Sequence, residues 1–403
     1  MEDIEIKKKR LAKDVVLSII GSILPIAVLQ LIILPGLSRQ VSSDIYGVIV
    51  TALAMLNLFP ATIGNALNNV RLLRDSEYEG RKKDFQILLI ITEVINVCIL
   101  FFLSCFYLGI HSIYEIVLLL ICGVLFLERE YHIVYYRIRL DYVANVINNI
   151  CLVFGFLVGY YIFTITEYWQ LIYIIGYLFS FIHLLISSEI WKEPVLTSSN
   201  IKKVSIDVLF LVIASFLNRA MTLSDKILLY PLLGGTMVSV YHVATVFGKI
   251  VSIGITPINS VALSYLARIR SKSDSLFRIT YSIGAVLCGI GYFTVIALSR
   301  PILTFLYPQY VDDAIKYVYI TTASTSIYVL TSIIMPFVLR YFDMKWQIMI
   351  NGITFVVYVG LSLVFLYIWG MIGFCIGSLI SNVIKLITTT IIYYFGTPRH
   401  SNE

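Results

Sequence analysis

A lysine stands at the centre of a polar stripe in a segment that is otherwise apolar. Between residues 241 and 266, polar side chains recur at intervals of three and four, which places them on one face of a helix. They are His242, Thr245, Lys249, Ser252, Thr256, Asn259 and Ser260. An ammonium near the centre of a bilayer costs roughly 2.5 to 3.5 kcal/mol, so such groups usually face a water-filled cavity. The stripe therefore predicts a cavity that attracts negative charge, with Lys249 and Asn259 as binding residues.

Three further segments carry a hydrophilic face. One holds Gln347, Asn351, Thr354 and Tyr358, a second holds Ser378, Asn382, Lys385 and Thr389, and a third holds Asp141, Asn145, Asn148 and Asn149. A single asparagine in a membrane often only links two helices by hydrogen bonds. Because the stripe of Lys249 and the stripe of Lys385 each carry a lysine, we expect these faces to line a cargo path, with Lys385 and Asn145 in contact with the cargo.

Few ionisable groups lie well inside apolar runs. They are Glu93, Arg219, Lys249 and Lys385, with His183 as a fifth candidate. Three cations against one carboxylate favour an anionic cargo, since a cation and a phosphate about 4 Å apart attract by roughly 4 kcal/mol at an effective dielectric near 20. Arg219 either binds the cargo or reaches the membrane surface by snorkelling. Glu93 either carries a coupling ion or is the structural partner of a cation.

Arg137 lies in a segment rich in tyrosine and basic residues, at positions 131–142. Tyrosine beside lysine or arginine is typical of the interfacial belt of a membrane protein. The same residue types also suit a docking platform, with rings that stack on sugars and arginines that meet phosphates. Both interpretations stay open, and Arg137 is a candidate substrate contact under the second.

These residues belong to a chain with the composition of a polytopic membrane protein. It is 59% hydrophobic and 13% charged with a mean hydropathy of +0.89, whereas soluble domains average about 25% charged residues. Runs long enough to span a bilayer lie near 15–37, 45–69, 85–108, 113–130, 143–164, 169–190, 205–223, 238–266, 279–299, 316–338, 347–369 and 371–395. The fold class predicted is all-α, with about twelve transmembrane helices at about 20 residues each. Little chain remains for a catalytic domain, so no enzyme is expected.

The placement of lysine and arginine predicts the orientation. With a cytoplasmic N-terminus, 23 of the 30 basic residues fall in inner segments, four in outer segments and three inside spans. Inner loops of membrane proteins are enriched in these residues, so both termini are expected inside. The formal charge of +6 reflects this asymmetry, and no nucleic-acid partner is expected.

The six cysteines all fall inside predicted spans, without the spacing of a disulfide framework or a metal site. Neither a metal nor another cofactor is therefore expected. A weak internal repeat with an offset of about 195 residues relates residues 33–74 to residues 229–270. It predicts two six-helix lobes, residues 1–200 and 201–403, although chance similarity between apolar segments would look much the same.

Three motifs in this order carry a resemblance to a known family. They are LPGLSR at 34–39 with DIYG at 44–47, SDKILL at 224–229 before Tyr241, and residues 301–307 with Tyr310. The chain resembles the polysaccharide-flippase branch of the multidrug/oligosaccharidyl-lipid/polysaccharide exporter superfamily, which includes O-antigen and capsular polysaccharide flippases. The family's usual arginine is replaced by Lys226, so no fork-like phosphate contact is expected there.

The resemblance implies transport of an undecaprenyl-diphosphate-linked oligosaccharide to the outer leaflet of a bacterial plasma membrane by alternating access. A proton gradient, a sodium gradient or the membrane potential would drive it. The expected partners are the anionic lipid-linked oligosaccharide, membrane lipids and polysaccharide polymerase machinery, and the expected state is a monomer. The alternative is a multidrug or cation exporter of the same superfamily, which would need carboxylates facing its cavity.

Overall fold

The computed structural model describes residue 17 and residues 19–74, 83–189, 201–250, 272–342 and 344–396. All regular elements within these ranges are helices, and nine of them are long and apolar enough to cross a membrane. The protein therefore has the predicted helical, multi-span character. The finer expectation of twelve spans stays a prediction.

The chain forms two compact units, residues 1–238 and 239–403. The helices, numbered in chain order, are α1 Ile19–Gln40, α2 Ser43–Leu58, α3 Pro60–Arg74, α4 Lys83–Phe102, α5 Ile113–His132, α6 Val134–Arg139, α7 Tyr142–Thr166, α8 Gln170–Ser187, α9 Ile201–Ala244, α10 Asp274–Leu306, α11 Val311–Tyr341 and α12 Met344–Phe395. A lobe boundary at residue 200 stays a prediction.

Short polar side chains start several of these helices. The Oγ of Ser112 accepts a hydrogen bond from the backbone N–H of Glu115, and Oδ1 of Asp141 accepts one from Ala144 at 2.9 Å. Ser273 caps α10 in the same way. Each cap satisfies a backbone donor that the first turn of a helix leaves without an intrahelical partner.

Two glycines break helices that are otherwise continuous in sequence. Gly234 in α9 has φ 77° and Gly370 in α12 has φ 61°, values that side chains with a Cβ rarely adopt. The break at Gly370 falls between the predicted spans 347–369 and 371–395. In this place the hydropathy pattern located a helix end correctly, although the chain there has no polar loop.

Apolar contacts between helices form the core of each unit. In the first unit, buried side chains of α3, α4 and α5 pack against the start of α9 around Leu67, Phe85 and Leu127. In the second unit, Phe277 of α10 stacks on Tyr393 of α12 with ring centroids 3.8 Å apart, beside Phe337 of α11. These cores hold the polar faces of the same helices in position.

Candidate functional site

A partly buried polar seam joins α11 to the second half of α12 in the second unit. The Oγ of Ser324 lies 3.2 Å from the Oγ of Ser378 and accepts a hydrogen bond of 2.9 Å from Nδ2 of Asn382. Farther along the same face of α12, Lys385 and Thr389 are buried. The predicted stripe at 378–389 therefore faces other parts of the protein, and α11 in particular.

Lys385 follows Asn382 along this seam, about one helical turn farther on. Its side chain is only 6% exposed, and its Nζ lies 5.5 Å from the centroid of the Tyr328 ring. Among the described residues, no carboxylate oxygen lies within 4 Å of Nζ. A cation over an aromatic face gains roughly 0.5 to 2 kcal/mol, which offsets only part of the cost of burying the ammonium. The seam thus holds a positive charge without an acidic neighbour in the described chain.

Lys249 lies just beyond α9, where a turn at Thr245 leads into helical residues 246–250. Its Nζ is 2.9 Å from Nδ1 of the buried His242. This segment contacts α11, since the hydroxyl of Thr321 donates to the carbonyl of Ala244 at 2.9 Å. The rest of the predicted stripe, Ser252, Thr256, Asn259 and Ser260, lies outside the described residues.

The stripe at the start of α12 is half buried. Thr354 and Tyr358 are buried, and the hydroxyl of Thr354 donates to the backbone carbonyl of Ile350 at 2.7 Å. Gln347 and Asn351 are only partly covered. This face is therefore covered by protein at Thr354 and Tyr358.

Arg219 belongs to the first unit, whereas Lys249 and Lys385 belong to the second. It is partly buried, and its guanidinium donates a 3.1 Å hydrogen bond to the backbone carbonyl of Asn57 in α2. Its role in binding stays a prediction.

The asparagines of α7 form a network with α5 and α8. Asn148 donates to the carbonyl of Ser180 and accepts from its hydroxyl, both at 2.8 Å. Oδ1 of Asn149 accepts from Arg129 at 2.6 Å. The predicted contact residue Asn145 is half buried, and its Oδ1 has no hydrogen-bond partner within the described part of the chain.

The centre of this network, Arg129, was not singled out from the sequence. It is 6% exposed and also donates to the hydroxyl of Ser180 and to Glu130, each at 2.9 Å. The available signal was the run of charges at 128–130 that closes an otherwise apolar segment. The predicted span 113–130 ends on this run, which is typical of a span that reaches the membrane surface, whereas the arginine points into the protein.

Arg137 ties α6 to α3. Its guanidinium donates to Oδ1 of Asn68 at 2.5 Å and to Oδ1 of Asn69 at 2.9 Å, and burial lowers its pKa. Tyr136 beside it is buried, and burial raises its pKa to about 12. These contacts give Arg137 a place in the packing of the unit, and a contact with cargo stays a prediction.

Glu93 meets a second carboxyl group. Its side chain is hydrogen-bonded to Glu128 on the neighbouring helix α5, and Oε2 of Glu128 lies 2.8 Å from Nδ1 of His132. The charged partner of Glu93 is therefore an acid rather than a lysine or arginine. Sequence reasoning missed Glu128 because a carboxylate near the end of a span resembles an ordinary interfacial residue. Within the described chain, no cluster of three or more histidine, cysteine or acidic residues suits a metal ion.

Comparison with solved structures identifies the architecture. An inward-facing multidrug resistance MATE family transporter of the MOP superfamily matches with a TM-score of 0.68 and 12% identity, over 94% of this chain and 98% of that one. The fold is that of the MATE transporters. An outward-facing structure of the same description matches with a TM-score of 0.65 and 14% identity, over 95% of this chain and 96% of that one.

The Vibrio cholerae MATE transporter VcmN in its bent form is also similar, with a TM-score of 0.62 and 12% identity over 96% of this chain and 97% of that one. No protein-family model and no curated protein matches the sequence. The MATE fold is thus established for this chain by similarity of structure at low sequence identity. All three neighbours are described as transporters, and at this identity the similarity shows the fold alone.

Proposed function

We propose that this protein is a secondary exporter that moves amphiphilic cations across a membrane by alternating access, in exchange for an inward-moving ion. The observation that carries the proposal is the similarity over nearly the whole of both chains to transporters described as multidrug resistance proteins, in inward- and outward-facing forms. Fold alone does not define a cargo. The buried charges therefore bear on the choice of cargo.

The acid pair favours a cationic cargo or a cationic coupling ion. Glu93 and Glu128 are hydrogen-bonded to each other on two neighbouring helices of the first unit. Acidic groups inside membrane segments are expensive, and they commonly mark proton relays or ion pathways. A cation exporter of this kind needs buried carboxylates, and the sequence indicated only Glu93. In the structure Glu128 is a second one beside it.

A second candidate function is the transport of an undecaprenyl-diphosphate-linked oligosaccharide, as in O-antigen, capsule or exopolysaccharide synthesis. It is favoured by Lys385, whose buried ammonium has no carboxylate within 4 Å in the described chain. Such a group would attract a diphosphate and repel a cation. A bacterial plasma-membrane location and a link to polymerase machinery belong to this candidate.

A reconstituted system separates the two functions. Purified protein in proteoliposomes is given a cationic dye in one arm and a fluorescent lipid-linked oligosaccharide in the other, each with and without a pH or sodium gradient. We expect gradient-dependent movement of the dye above that of empty vesicles. Movement of the oligosaccharide without the dye would replace the first proposal by the second.

A further inference from the structure

The first unit holds three titratable groups in a row. Glu128 lies in the middle, with the carboxyl group of Glu93 on one side and the imidazole of His132 on the other. His132 presents its Nδ1 at 2.8 Å from Oε2 of Glu128, so Glu128 accepts on that side. Two ionised carboxylates in hydrogen-bond contact would repel each other, and such pairs hold one proton between them. Since Glu128 is already an acceptor, Glu93 is the group that carries this proton.

Asn96 provides a second observation at the same place. It lies one turn after Glu93 on α4, and side chains three residues apart share a helix face. It is fully buried, yet neither Nδ2 nor Oδ1 has a hydrogen-bond partner within the described chain. Its amide faces α5, since a Cβ on Gly123 would lie 3.4 Å from Nδ2. Oε1 of Glu93 is buried and lacks a partner as well.

The Asn96 amide and Oε1 of Glu93 are both buried without a hydrogen-bond partner in the described chain, which costs free energy. This cost is recovered if the two groups bond to each other once the shared proton has left. A buried polar atom without a hydrogen bond destabilises a protein by roughly 1 to 3 kcal/mol. When the shared proton leaves, the Glu93 carboxylate needs a new donor, and the amide of Asn96 is one turn away. The Glu128 carboxylate already accepts a hydrogen bond from the N–H of His132.

We propose that Glu93 and Glu128 form a proton-binding site in which one proton is held between the two carboxyl groups, and that Asn96 positions Glu93 by donating to it after the proton has left to water. No covalent bond other than the O–H bond changes. That this proton is the coupling ion of export rests on the proposed function. The site itself requires no cargo.

Other charged groups on the packed helices are engaged elsewhere. Arg129 donates to Ser180, Asn149 and Glu130, Arg71 donates to Tyr131, and Arg137 donates to the α3 asparagines. Other charged side chains on these helices include Asp84, Glu115, His183, Lys202 and Asp207. Within the described chain, the charge that acts on Glu93 is that of Glu128, and the charges that act on Glu128 are those of His132 and Glu93.

Infrared difference spectroscopy on the purified full-length protein tests the site without any cargo. The chain has 24 aspartate and glutamate residues, so the titration is followed above about pH 6, where exposed carboxyl groups are ionised. In that range we expect a protonated-carboxyl C=O band that is lost in both Glu93→Gln and Glu128→Gln. A glutamine amide can still donate to the remaining carboxylate, so these variants should fold. Glu115→Gln, at the other end of α5, is the matched control and should keep the band.

The variant Asn96→Leu distinguishes a positioning role from simple packing. It removes the donor to ionised Glu93, so the band should persist to a pH higher by about one unit, because a hydrogen bond to a charged group is among the stronger ones. An unchanged midpoint in a folded Asn96→Leu protein would remove Asn96 from the site. A band that survives Glu93→Gln, or that sodium chloride abolishes at constant pH, would overturn the proton site.

Transport provides the link to export. In proteoliposomes, Glu93→Gln should lose the dependence of dye movement on the pH gradient while Glu115→Gln keeps it. A normal infrared result without dye movement would count against the exporter and leave the proton site standing. Dye movement without the infrared band would support the exporter and count against the proton site.

Discussion

The Nζ atom of Lys249 lies 2.9 Å from Nδ1 of His242, two helical turns earlier. An ammonium only donates hydrogen bonds, so His242 accepts at Nδ1 and carries its proton on Nε2. Protonation of both nitrogens would place two positive charges in contact. The lysine of the predicted stripe is therefore held by another member of the same stripe.

Replacement of Lys249 separates the two candidate cargoes. In Lys249→Met a positive charge that repels cations is removed, so dye export should be retained or raised. For a lipid-linked diphosphate, loss of a charge pair worth roughly 4 kcal/mol should reduce movement by at least about tenfold. Lys249→Arg should then keep part of it.

Protein abundance and transport are measured on the same vesicles. Lys316→Met, which alters an exposed lysine, is the control. Loss of dye export in an abundant Lys249→Met protein would contradict the repulsion argument.

Lys385 is expected to lower the stability of the protein. Methionine has a similar length and no charge, so Lys385→Met should raise the free energy of unfolding by about 1 to 3 kcal/mol, since a buried ammonium without an acid is costly. Thermal unfolding in detergent measures the change. The exposed Lys345→Met should shift the midpoint little. A clear loss of stability in Lys385→Met would mean that the ammonium has a stabilising partner.

Arg129 should be essential for folding rather than for binding. Arg129→Met removes donors to Ser180, Asn149 and Glu130 at once, which should destabilise the protein by roughly 2 to 5 kcal/mol. Folded protein in membranes should fall accordingly, as measured by fluorescence size-exclusion chromatography. Arg300→Met serves as the control, because the Arg300 side chain is 73% exposed and its ion pair with Asp312 is weak. Normal yield of Arg129→Met would show that the network tolerates its loss.

A close backbone approach in the first unit depends on two glycines. A Cβ on Gly47 of α2 would overlap the backbone carbonyl of Gly235, which follows the break in α9. Gly47→Ala should therefore lower the unfolding temperature by forcing these segments apart. In Gly289→Ala the new Cβ meets nothing within 4 Å, and helix propensity should stabilise that variant by up to about 1 kcal/mol. Equal unfolding temperatures for the two variants would contradict the close approach.

Several features followed from local sequence alone. Hydropathy identified a helical membrane protein, and the period of three and four placed Ser378, Asn382 and Lys385 on one face. In the structure this face turns toward α11, where Lys385 is buried and the other two are partly buried. The break at Gly370 also fell where two apolar runs were separated. These features depend on residues within a few turns of each other, and their geometry is common to every helix.

Which faces meet was decided only by the tertiary structure. Glu93 pairs with Glu128 and Arg137 with Asn68, residues of different helices that no spacing rule connects. In a membrane, apolar surface does not distinguish a lipid from a neighbouring helix, so packing of small residues and a few polar contacts select the partners. Composition therefore determined that the chain spans a membrane as helices. The three-dimensional packing of those helices determined that a lone buried acid is one half of a carboxyl pair.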